Sequence, residues 1–551
     1  MRLRYALAAL LVTAIAAAPA RAQEEGVLQL GDDLHAFLER QQVAGRLPGV
    51  FLDLRPLSAA EAARALDTLA TYSDGLSATD RALLARYRGE GQAPGATFVR
   101  RHLPALYADG EHLASVQGDG FRLVLEPIGY FAGGPAQHTD LPGRDPSTFM
   151  WQNTRGFRAA GSLGSRFFFE TRLEENQRRP LVNEHDVSTA PRLGDVKLPG
   201  GDTYDYWRAA GVLGYRDRFL ELRFGHDRNR WGLGANSLLL SDFAPAYDQL
   251  QARVRVWRLQ YVSMVMRRTD PRVPNAGWTY FPSSYGAFHQ LSIDLPGRVQ
   301  ASVFESVVFA NDTIRARGFE TAYLNPIIFW RPIEAGLGSP DNVLLGGGLA
   351  WNPVDGARVY SELILDEVTV SRLRTDWWGN KWAFLVGAHV ALPAVPGLDA
   401  RIEYARLRPF VYTHRRRGTA YIHYDDILGH PAGPNAEDVT LQMRYRPLPA
   451  LHAALDVAYT RRGRNTDSLN VGSDPRRPYD DRSTDFVSTL QGVRQQTWLI
   501  EGRVGYELLP NLVAEAALVS ESVDDDVTGF FRATAGLLQL RWGIPFRSER
   551  W

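Results

Sequence analysis

The chain has 551 residues, of which 45% are apolar and 23% are charged, so it is too rich in core-forming residues for a disordered protein. Lys+Arg and Asp+Glu both total 62, and this balance gives no net positive field that would attract nucleic acid. Cysteine is absent, which excludes disulfides, thiol nucleophiles and cysteine-ligated metals. All basic residues except Lys197 and Lys381 are arginines, whose planar side chains suit carboxylate binding.

Residues 1–22 have the pattern of a secretory signal peptide. Arg2 and Arg4 give a positive start, and an apolar stretch covers 6–18. Residues 20–22 read Ala-Arg-Ala, a small-x-small cleavage signal. We therefore expect an exported protein whose mature chain begins after residue 22.

A helical region is predicted next, within residues 23–115. Apolar residues recur at helical spacing, and Gly45 is placed to end the first helix. The helix start signals are Asp32, the capping box Ser58–Glu61 and the similar pair Ser77–Asp80. We expect three short helices within 32–90, either as a separate compact bundle or lying against a larger body. His35 stands alone in sequence and is interpreted as a surface residue.

From residue 116 to the C-terminus the apolar pattern changes to a period of two. In one segment Leu220, Leu222 and Phe224 alternate with Glu221 and Arg223, and the segments 166–173 and 538–544 alternate in the same way. Charged residues thus occupy one strand face repeatedly, which suits a wet lumen better than the dry core of a soluble sandwich.

The connections between these strands point in the same direction. Short turns are expected at 296–297, 352–356, 392–398, 446–450 and 509–511, and long polar loops at 309–342, 409–438 and 461–492. Aromatic residues near strand ends are expected to form interfacial girdles: Phe329, Trp330, Trp377, Trp378, Trp382, Trp498 and Trp542. Short turns at one end and long loops at the other are typical of outer-membrane barrels.

The predicted fold is mainly β, a large closed antiparallel transmembrane β-barrel with a small N-terminal helical bundle. The mature chain lacks a run of about 18 apolar residues, so a membrane-spanning form must close its backbone hydrogen bonds between strands. At roughly 9–11 residues per strand the sheet fits about 16–18 strands. A secreted soluble protein of several β-sandwiches is the alternative fold.

Catalytic signatures are lacking in the sequence. The glycine-rich strings 232–234 and 346–348 do not open a convincing helix, and close approach of neighbouring strands or side chains is the preferred interpretation. Residues 183–186 read Asn-Glu-His-Asp, for which a solvated loop is preferred over a metal site. We therefore expect no enzyme activity, no cofactor and no metal.

Two segments are candidates for ligand binding. The first, 408–438, combines arginines with aromatic rings, a composition that suits an acidic saccharide, although a solvated extracellular loop explains it equally. The second, 225–242, would form a network in the lumen that either braces the barrel or binds a ligand. The candidate contact residues are Arg228, Arg230, Trp231, Arg408, Tyr412, His414, Tyr421, His423, Tyr424 and Asp425.

Several strings in this order resemble the capsule assembly Wzi family. They begin at Arg230 (RWGLGANSLLLS), Leu324 (LNPIIFWR), Asp341 (DNVLLG), Asn380 (NKWAFLVG) and Leu428 (LGHPAGPN). The resemblance implies an outer-membrane barrel of about eighteen strands with a periplasmic helical bundle, consistent with the strand estimate above. It also implies non-enzymatic, lectin-like attachment of capsular polysaccharide to the surface of a Gram-negative cell.

The partners expected from this resemblance are capsular or other surface polysaccharide, outer-membrane lipid and a polysaccharide export channel. Two other functions remain open on the sequence. One is a porin-like diffusion channel, which a charged lumen would also suit. The other is a membrane-embedded hydrolase, for which Asp425 and Asp426 are the candidate carboxylates.

Overall fold

The computed structural model describes residues 26–140, 145–182, 189–190, 194–195, 197, 203–269, 283–310, 318–326, 329–338 and 341–546. The expected signal peptide and the motif at 183–186 lie outside these residues. Among the described helices, none is both long and apolar enough to cross a membrane.

Eighteen long strands pair antiparallel with their sequence neighbours, and the last pairs with the first to close a barrel. The first nine are β1 Phe121–Thr139, β2 Ser147–Leu163, β3 Phe167–Arg179, β4 Tyr204–Arg216, β5 Leu220–Asp227, β6 Tyr247–Val256, β7 Leu259–Thr269, β8 Ser283–Leu295 and β9 Val299–Ala310. The others are β10 Asn342–Val354, β11 Ala357–Glu367, β12 Lys381–Ala391, β13 Leu398–Leu407, β14 Ala436–Tyr445, β15 Leu451–Arg464, β16 Val493–Leu509, β17 Leu512–Asp525 and β18 Gly529–Trp542. The predicted barrel is therefore confirmed.

The period of two places charged side chains inside and apolar side chains outside. In β5, Glu221 and Arg223 are buried within the barrel, whereas Leu222 and Phe224 are exposed on its outer surface. In β18, Leu538 is 74% exposed, whereas Gln539 and Arg541, on the other face of the strand, are buried. Side chains alternate across a strand, so the register of the strand decides which of its residues face the lumen and which face outward.

The two ends of the barrel differ as the sequence predicted. At one end, the short-turn end, the eight connections between strands hold two to six residues. At the other, the long-loop end, seven of nine connections hold 13 to 31 residues. Exposed aromatic residues form outer girdles near both ends, and examples are Trp257, Trp351 and Tyr506 at the short-turn end and Phe149, Trp207 and Trp498 at the long-loop end.

Three of the predicted girdle residues lie elsewhere. Trp330 is fully buried, stacks on His289 with ring centroids 4.1 Å apart, and donates its indole N–H to the Asn325 carbonyl. Trp377 and Trp378 lie in the loop between β11 and β12, beyond the barrel wall. Aromatic residues next to a strand are thus used for loop packing as well as for the membrane interface.

Four helices precede the barrel: α1 Asp33–Val43, α2 Ala59–Ala70, α3 Ala78–Tyr87 and α4 Ala96–His102. The first three were predicted, and α4 was not. The capping box is present, because Ser58 accepts from the Glu61 N–H and Glu61 accepts from the Ser58 N–H. The prediction of a surface His35 is wrong: its ring is buried, and its Nε2 accepts a hydrogen bond from the Leu57 N–H.

The helices close the short-turn end of the barrel and reach into its lumen. Glu61 of α2 pairs with Arg253 of β6 at 2.8 Å and with Arg223 of β5 at 3.5 Å. Arg86 of α3 makes two hydrogen bonds of 2.7 Å to Glu507 of β16. Asp53, just before α2, accepts hydrogen bonds from three polar side chains of the wall: Gln260, Gln290 and Ser292. The helical part is therefore held against the barrel wall by buried polar contacts.

Replacing Glu61 with Ala should loosen this attachment, because Arg253 would stay buried without its carboxylate partner. Loss of one member of a buried ion pair costs about 3–5 kcal/mol. Hydrogen exchange of α2 should therefore accelerate in Glu61→Ala. The control is Asp67→Ala in the same helix, whose exposed pair with Arg88 should contribute only about 0–1 kcal/mol. Equal exchange rates in the two variants would contradict this account.

Candidate functional site: two inward loops and an outer cap

Two long connections at the long-loop end fold back into the barrel. Loop A is residues 228–246, between β5 and β6, and loop B is residues 408–435, between β13 and β14. Most side chains of loop B are buried, and those that reach the surface are confined to 415–418 and 424–425. Loop B is therefore part of the interior, and the alternative of a solvated extracellular loop is wrong for most of its length.

Loop A is wrapped around one carboxylate of the barrel wall. Glu362 of β11 accepts hydrogen bonds of 2.5–3.0 Å from the N–H groups of Leu233, Gly234 and Leu238 and from the Ser237 hydroxyl. Charge-assisted bonds to backbone N–H groups are stronger than neutral ones. The string that begins at Arg230 thus forms a turn built around Glu362.

The two glycine-rich strings meet at this turn. A Cβ on Gly346 would lie 2.7 Å from the Leu239 side chain, and a Cβ on Gly348 would lie 2.9 Å from that of Leu233. Gly232 has a φ of +126°, a conformation open mainly to glycine. The predicted role of these glycines in close approach is confirmed: the wall strand β10 lacks side chains where loop A packs.

Two tyrosines of loop B form hydrogen bonds to loop A. Tyr412 and Tyr421 are fully buried and stacked with centroids 5.5 Å apart. Their hydroxyls donate to the carbonyls of Leu238 and Leu239 at 2.9 and 2.5 Å. The two loops therefore form one plug, and the phenol groups satisfy backbone acceptors that have no strand partner.

The wall holds loop B at further points. Lys381 of β12 is fully buried, lies 3.1 Å from Asp366, and donates to the Thr413 carbonyl at 3.0 Å. His423 bonds to the Ala246 carbonyl through Nε2 and accepts the Thr269 N–H through Nδ1. These contacts fix both halves of loop B.

Burial keeps two histidines of loop B neutral. It lowers the pKa of His423 to about 3, and burial together with the positive charge of Lys381 lowers the pKa of His414 to about 3. A neutral His423 can both donate and accept, as its two hydrogen bonds require. The plug therefore depends on the uncharged form of these rings.

The outer surface above loop B carries a patch of aromatic and arginine side chains. We call it the cap patch: its residues are Arg372, Trp377, Trp378, Arg482 and Phe486, which reach the surface, and Tyr479, which is buried against Trp378. It joins the connection 368–380 to the connection 465–492 through backbone bonds from the Trp378 N–H to the Asp485 carbonyl and from the Val487 N–H to the Asp376 carbonyl. Two loops that are distant in sequence thus form one surface.

Within the cap patch, guanidinium groups lie over indole rings. The Arg482 carbon Cζ is 4.3 Å from the Trp378 ring centroid, and the Arg372 Cζ is 4.8 Å from the Trp377 centroid. Trp378 also packs on Tyr479, with centroids 4.8 Å apart, and Phe486 is 59% exposed. Aromatic faces beside guanidinium donors suit a ligand with apolar C–H faces, hydroxyls and carboxylates.

The structure distributes the ten predicted contact residues over four environments. Arg408 and His414 lie beneath the cap patch, where Arg408 bonds to Asp376 at 3.2 Å and the His414 ring meets the edge of Tyr479 at 5.8 Å. Tyr424 and Asp425 are half-buried near the surface, and Asp425 pairs with Arg417. The buried members of the plug are Trp231, Tyr412, Tyr421 and His423.

Arg228 and Arg230 instead line a cavity on the inner side of loop A. Contact of these ten residues with a glycan stays a prediction. The cap patch was missed because Trp377 and Trp378 were assigned to the girdle. A usable signal was their position: the pair stands in a polar stretch that contains Arg372, Arg374 and Asp376, which suits a loop better than a strand end.

In the part of the chain that the structure describes, no group of three or more acidic or histidine side chains is arranged to hold a metal ion. Asp425, a candidate carboxylate for hydrolysis, is engaged by Arg417.

Comparison with known proteins supports the sequence resemblance. Residues 350–518 match the family model described as capsule assembly protein Wzi. No curated protein matches the chain. A solved structure of Escherichia coli Wzi is 13% identical and matches with a TM-score of 0.56, covering 95% of this chain and 100% of that chain. It is described as a carbohydrate-binding β-barrel of the outer membrane, involved in group 1 capsule assembly. The resemblance and the barrel fold are thereby confirmed.

Porins also match, with lower similarity. Pseudomonas aeruginosa OccK3 is 11% identical, with a TM-score of 0.40 and coverage of 76% of this chain and 96% of that one. A BenF-like porin of Pseudomonas fluorescens Pf-5 is 11% identical, with a TM-score of 0.42 and coverage of 76% and 98%. At these TM-scores the porins say nothing further about this chain.

Removing the Glu362 carboxylate should release loop A from the wall. In Glu362→Ala, three backbone N–H groups lose their acceptor, and each buried donor left unpaired costs about 1–3 kcal/mol. We expect the wild-type barrel to be silent in planar-bilayer conductance, and Glu362→Ala to show frequent openings. The control is Glu175→Ala, a β3 variant that removes a partly exposed carboxylate paired with Arg155. A variant as silent as wild type would contradict the role of Glu362.

Acidification should weaken the plug. Between pH 6.5 and about 3, the released loop binds a proton at His414 and at His423 that the inserted loop does not bind. Insertion therefore loses up to about 1.4 kcal/mol per histidine for each pH unit below 6.5. Hydrogen exchange of residues 419–424, corrected for intrinsic rates, should be faster at pH 5 than at pH 7.5. His423→Gln should reduce this difference, and equal corrected rates in wild type would refute the mechanism.

Proposed function

We propose that this chain is an outer-membrane β-barrel of a Gram-negative bacterium. It binds surface polysaccharide at its long-loop end and takes part in capsule assembly there without catalysing a reaction. The observation that carries this proposal is the cap patch, in which half-buried indole rings and arginines lie together above a filled lumen. The family match at 350–518 includes Trp377 and Trp378, and the carbohydrate binding described for E. coli Wzi supports the same class of ligand.

The filled lumen favours binding over diffusion. Loops A and B interlock through buried hydrogen bonds, and the helices carry Asp53 and Glu61 into the lumen from the other end. A porin needs a continuous aqueous path through its lumen. Here the packed side chains of loops A and B and of the helical part lie across that path. The ligand is therefore expected to be held outside, at the mouth.

The chemistry of the cap patch indicates an acidic polysaccharide. Indole rings cover the apolar faces of sugar rings, and arginines bind carboxylates in a bidentate manner. Arg415, 66% exposed, adds a guanidinium beside the patch, with Asp480 3.5 Å away, and Arg482 pairs with Asp485 at 2.7 Å. Further expected partners are the outer-membrane lipid around the apolar belt and a polysaccharide export channel.

Trp378→Ala should weaken binding of polysaccharide purified from the surface of the same bacterium. A stacked ring contributes about 0.5–1.5 kcal/mol beyond its buried area, so we expect affinity to fall about two- to twelvefold. Trp257→Ala is the matched control, because that residue is 79% exposed at the opposite end of the barrel. Binding can be measured by retention of the detergent-solubilised protein on immobilised polysaccharide.

Two results would overturn the proposal. One is a wild-type protein that does not bind the polysaccharide of its own cell. The other is a deletion strain whose capsule remains attached at wild-type levels. Equal losses in Trp378→Ala and Trp257→Ala would count against the cap patch as the binding surface.

A further inference from the structure

A second polar cavity lies at the other side of the plug, toward the short-turn end. Its volume is about 350 Å³, and it is enclosed by α1, loop A and the inner wall of β12 to β16. Gly31 and Asp33 are exposed at its rim, so it opens where the helices meet the short turns. We call it the lower cavity.

The lower cavity has more arginines than carboxylates. Its nine arginines are Arg40, Arg55, Arg172, Arg228, Arg230, Arg401, Arg444, Arg446 and Arg503. Its six acids are Asp32, Asp33, Glu39, Asp242, Asp399 and Asp456. The formal balance of the lining is +3, and Asp80 and Asp227, just outside the lining, pair with two of these arginines, Arg40 and Arg172. Burial also raises the pKa of Asp32 to about 6, which lowers the negative charge further in mild acid.

Two of these carboxylates each pair with two guanidinium groups. Glu39 pairs with both Arg55 and Arg401, the latter at 3.1 Å. Asp456 pairs with Arg444 at 2.7 Å and with Arg503 at 3.3 Å. Each guanidinium has five N–H donors, so a shared carboxylate leaves donors for a further acceptor.

Two arginines have donor capacity directed at the cavity. Arg230 donates to the Ala235 carbonyl at 3.0 Å, and no carboxylate of the described residues forms an ion pair with it. Arg40 is only 6% exposed, and its Nη1 has no hydrogen-bond partner within the described structure. That nitrogen lies 3.5 Å from the position of a Cβ on Gly397, another residue of the cavity lining. A buried donor without an acceptor is costly, and a bound anion would satisfy it.

We propose that the lower cavity binds a small anion of monosaccharide size, carrying a carboxylate or a phosphate, that enters from the short-turn end. A volume of about 350 Å³ lies at the small end of ligand pockets, which hold about 300–1,000 Å³. Arginine forks match the geometry of both anionic groups. This site is separate from the cap patch and does not depend on the proposed function.

The test is isothermal titration of the full-length protein in detergent with three probes: glucuronate, inorganic phosphate and glucose. We expect one saturable anion site per chain and no binding of glucose. Tighter binding of glucuronate would identify a uronate ligand, and tighter binding of phosphate would identify a phosphate ligand. Failure of both anions to bind, or equal binding of glucose, would overturn the proposal.

Two variants locate the site. Arg230→Gln removes a charge without leaving a carboxylate unpaired, and it should weaken anion binding at least tenfold. Ala36→Phe keeps every charge but fills space, since Ala36 lines the cavity on α1, and it should also abolish binding. The matched control is Arg218→Gln, which alters an exposed turn residue outside the cavity.

A third variant separates this proposal from the first. Trp378→Ala should leave anion binding unchanged even where it weakens polysaccharide binding. Unaltered anion affinity in both Arg230→Gln and Ala36→Phe would show that the anion binds elsewhere, and the lower cavity would then be rejected as the site.

Discussion

The structure depends on the closure of backbone hydrogen bonds between strands. Lipid offers no partner to an exposed N–H or C=O group, so a strand that crosses it must be paired on both sides. β18 pairs with β1 and leaves no open edge. Closure also encloses a lumen. Because side chains alternate along each strand, Glu and Arg then face the lumen, whereas Leu and Phe face the outside.

An inner surface this rich in charge must be paired or hydrated, because an unpaired charge in a closed space is costly. Here much of the pairing is made with segments that are not strands. Glu362 is used by loop A, Lys381 by loop B, and Arg253 by α2. The interior charges therefore serve as attachment points for the plug. Each of these charged side chains of the wall is matched by a polar group of the loop or helix that binds it.

Filling the lumen separates the functions of the two ends. Above the plug, the cap patch combines aromatic rings with guanidinium groups, and it is the surface at which we propose that polysaccharide binds. Below it, Glu39 and Asp456 each pair with two arginines, and Arg230 has no carboxylate partner among the described residues. The two faces thus differ in chemistry as well as in the compartment that we assign to them.

The sequence alone predicted the barrel, the difference between its two ends and the capping box at Ser58. Hydrophobic periodicity, turn residues and helix caps all depend on residues that are close in sequence. The sequence alone did not show which way loop B folds, because its arginines and tyrosines suit solvent as well as lumen. Residues distant in sequence hold it inside: Lys381 of β12 and the loop A carbonyls of Leu238 and Leu239. For the same reason His35 and Trp330 were assigned to surfaces, and Trp378 was not connected with Tyr479. Local patterns decide which face of a strand meets lipid, whereas the candidate site arises where loops about 100 residues apart are brought together by barrel closure.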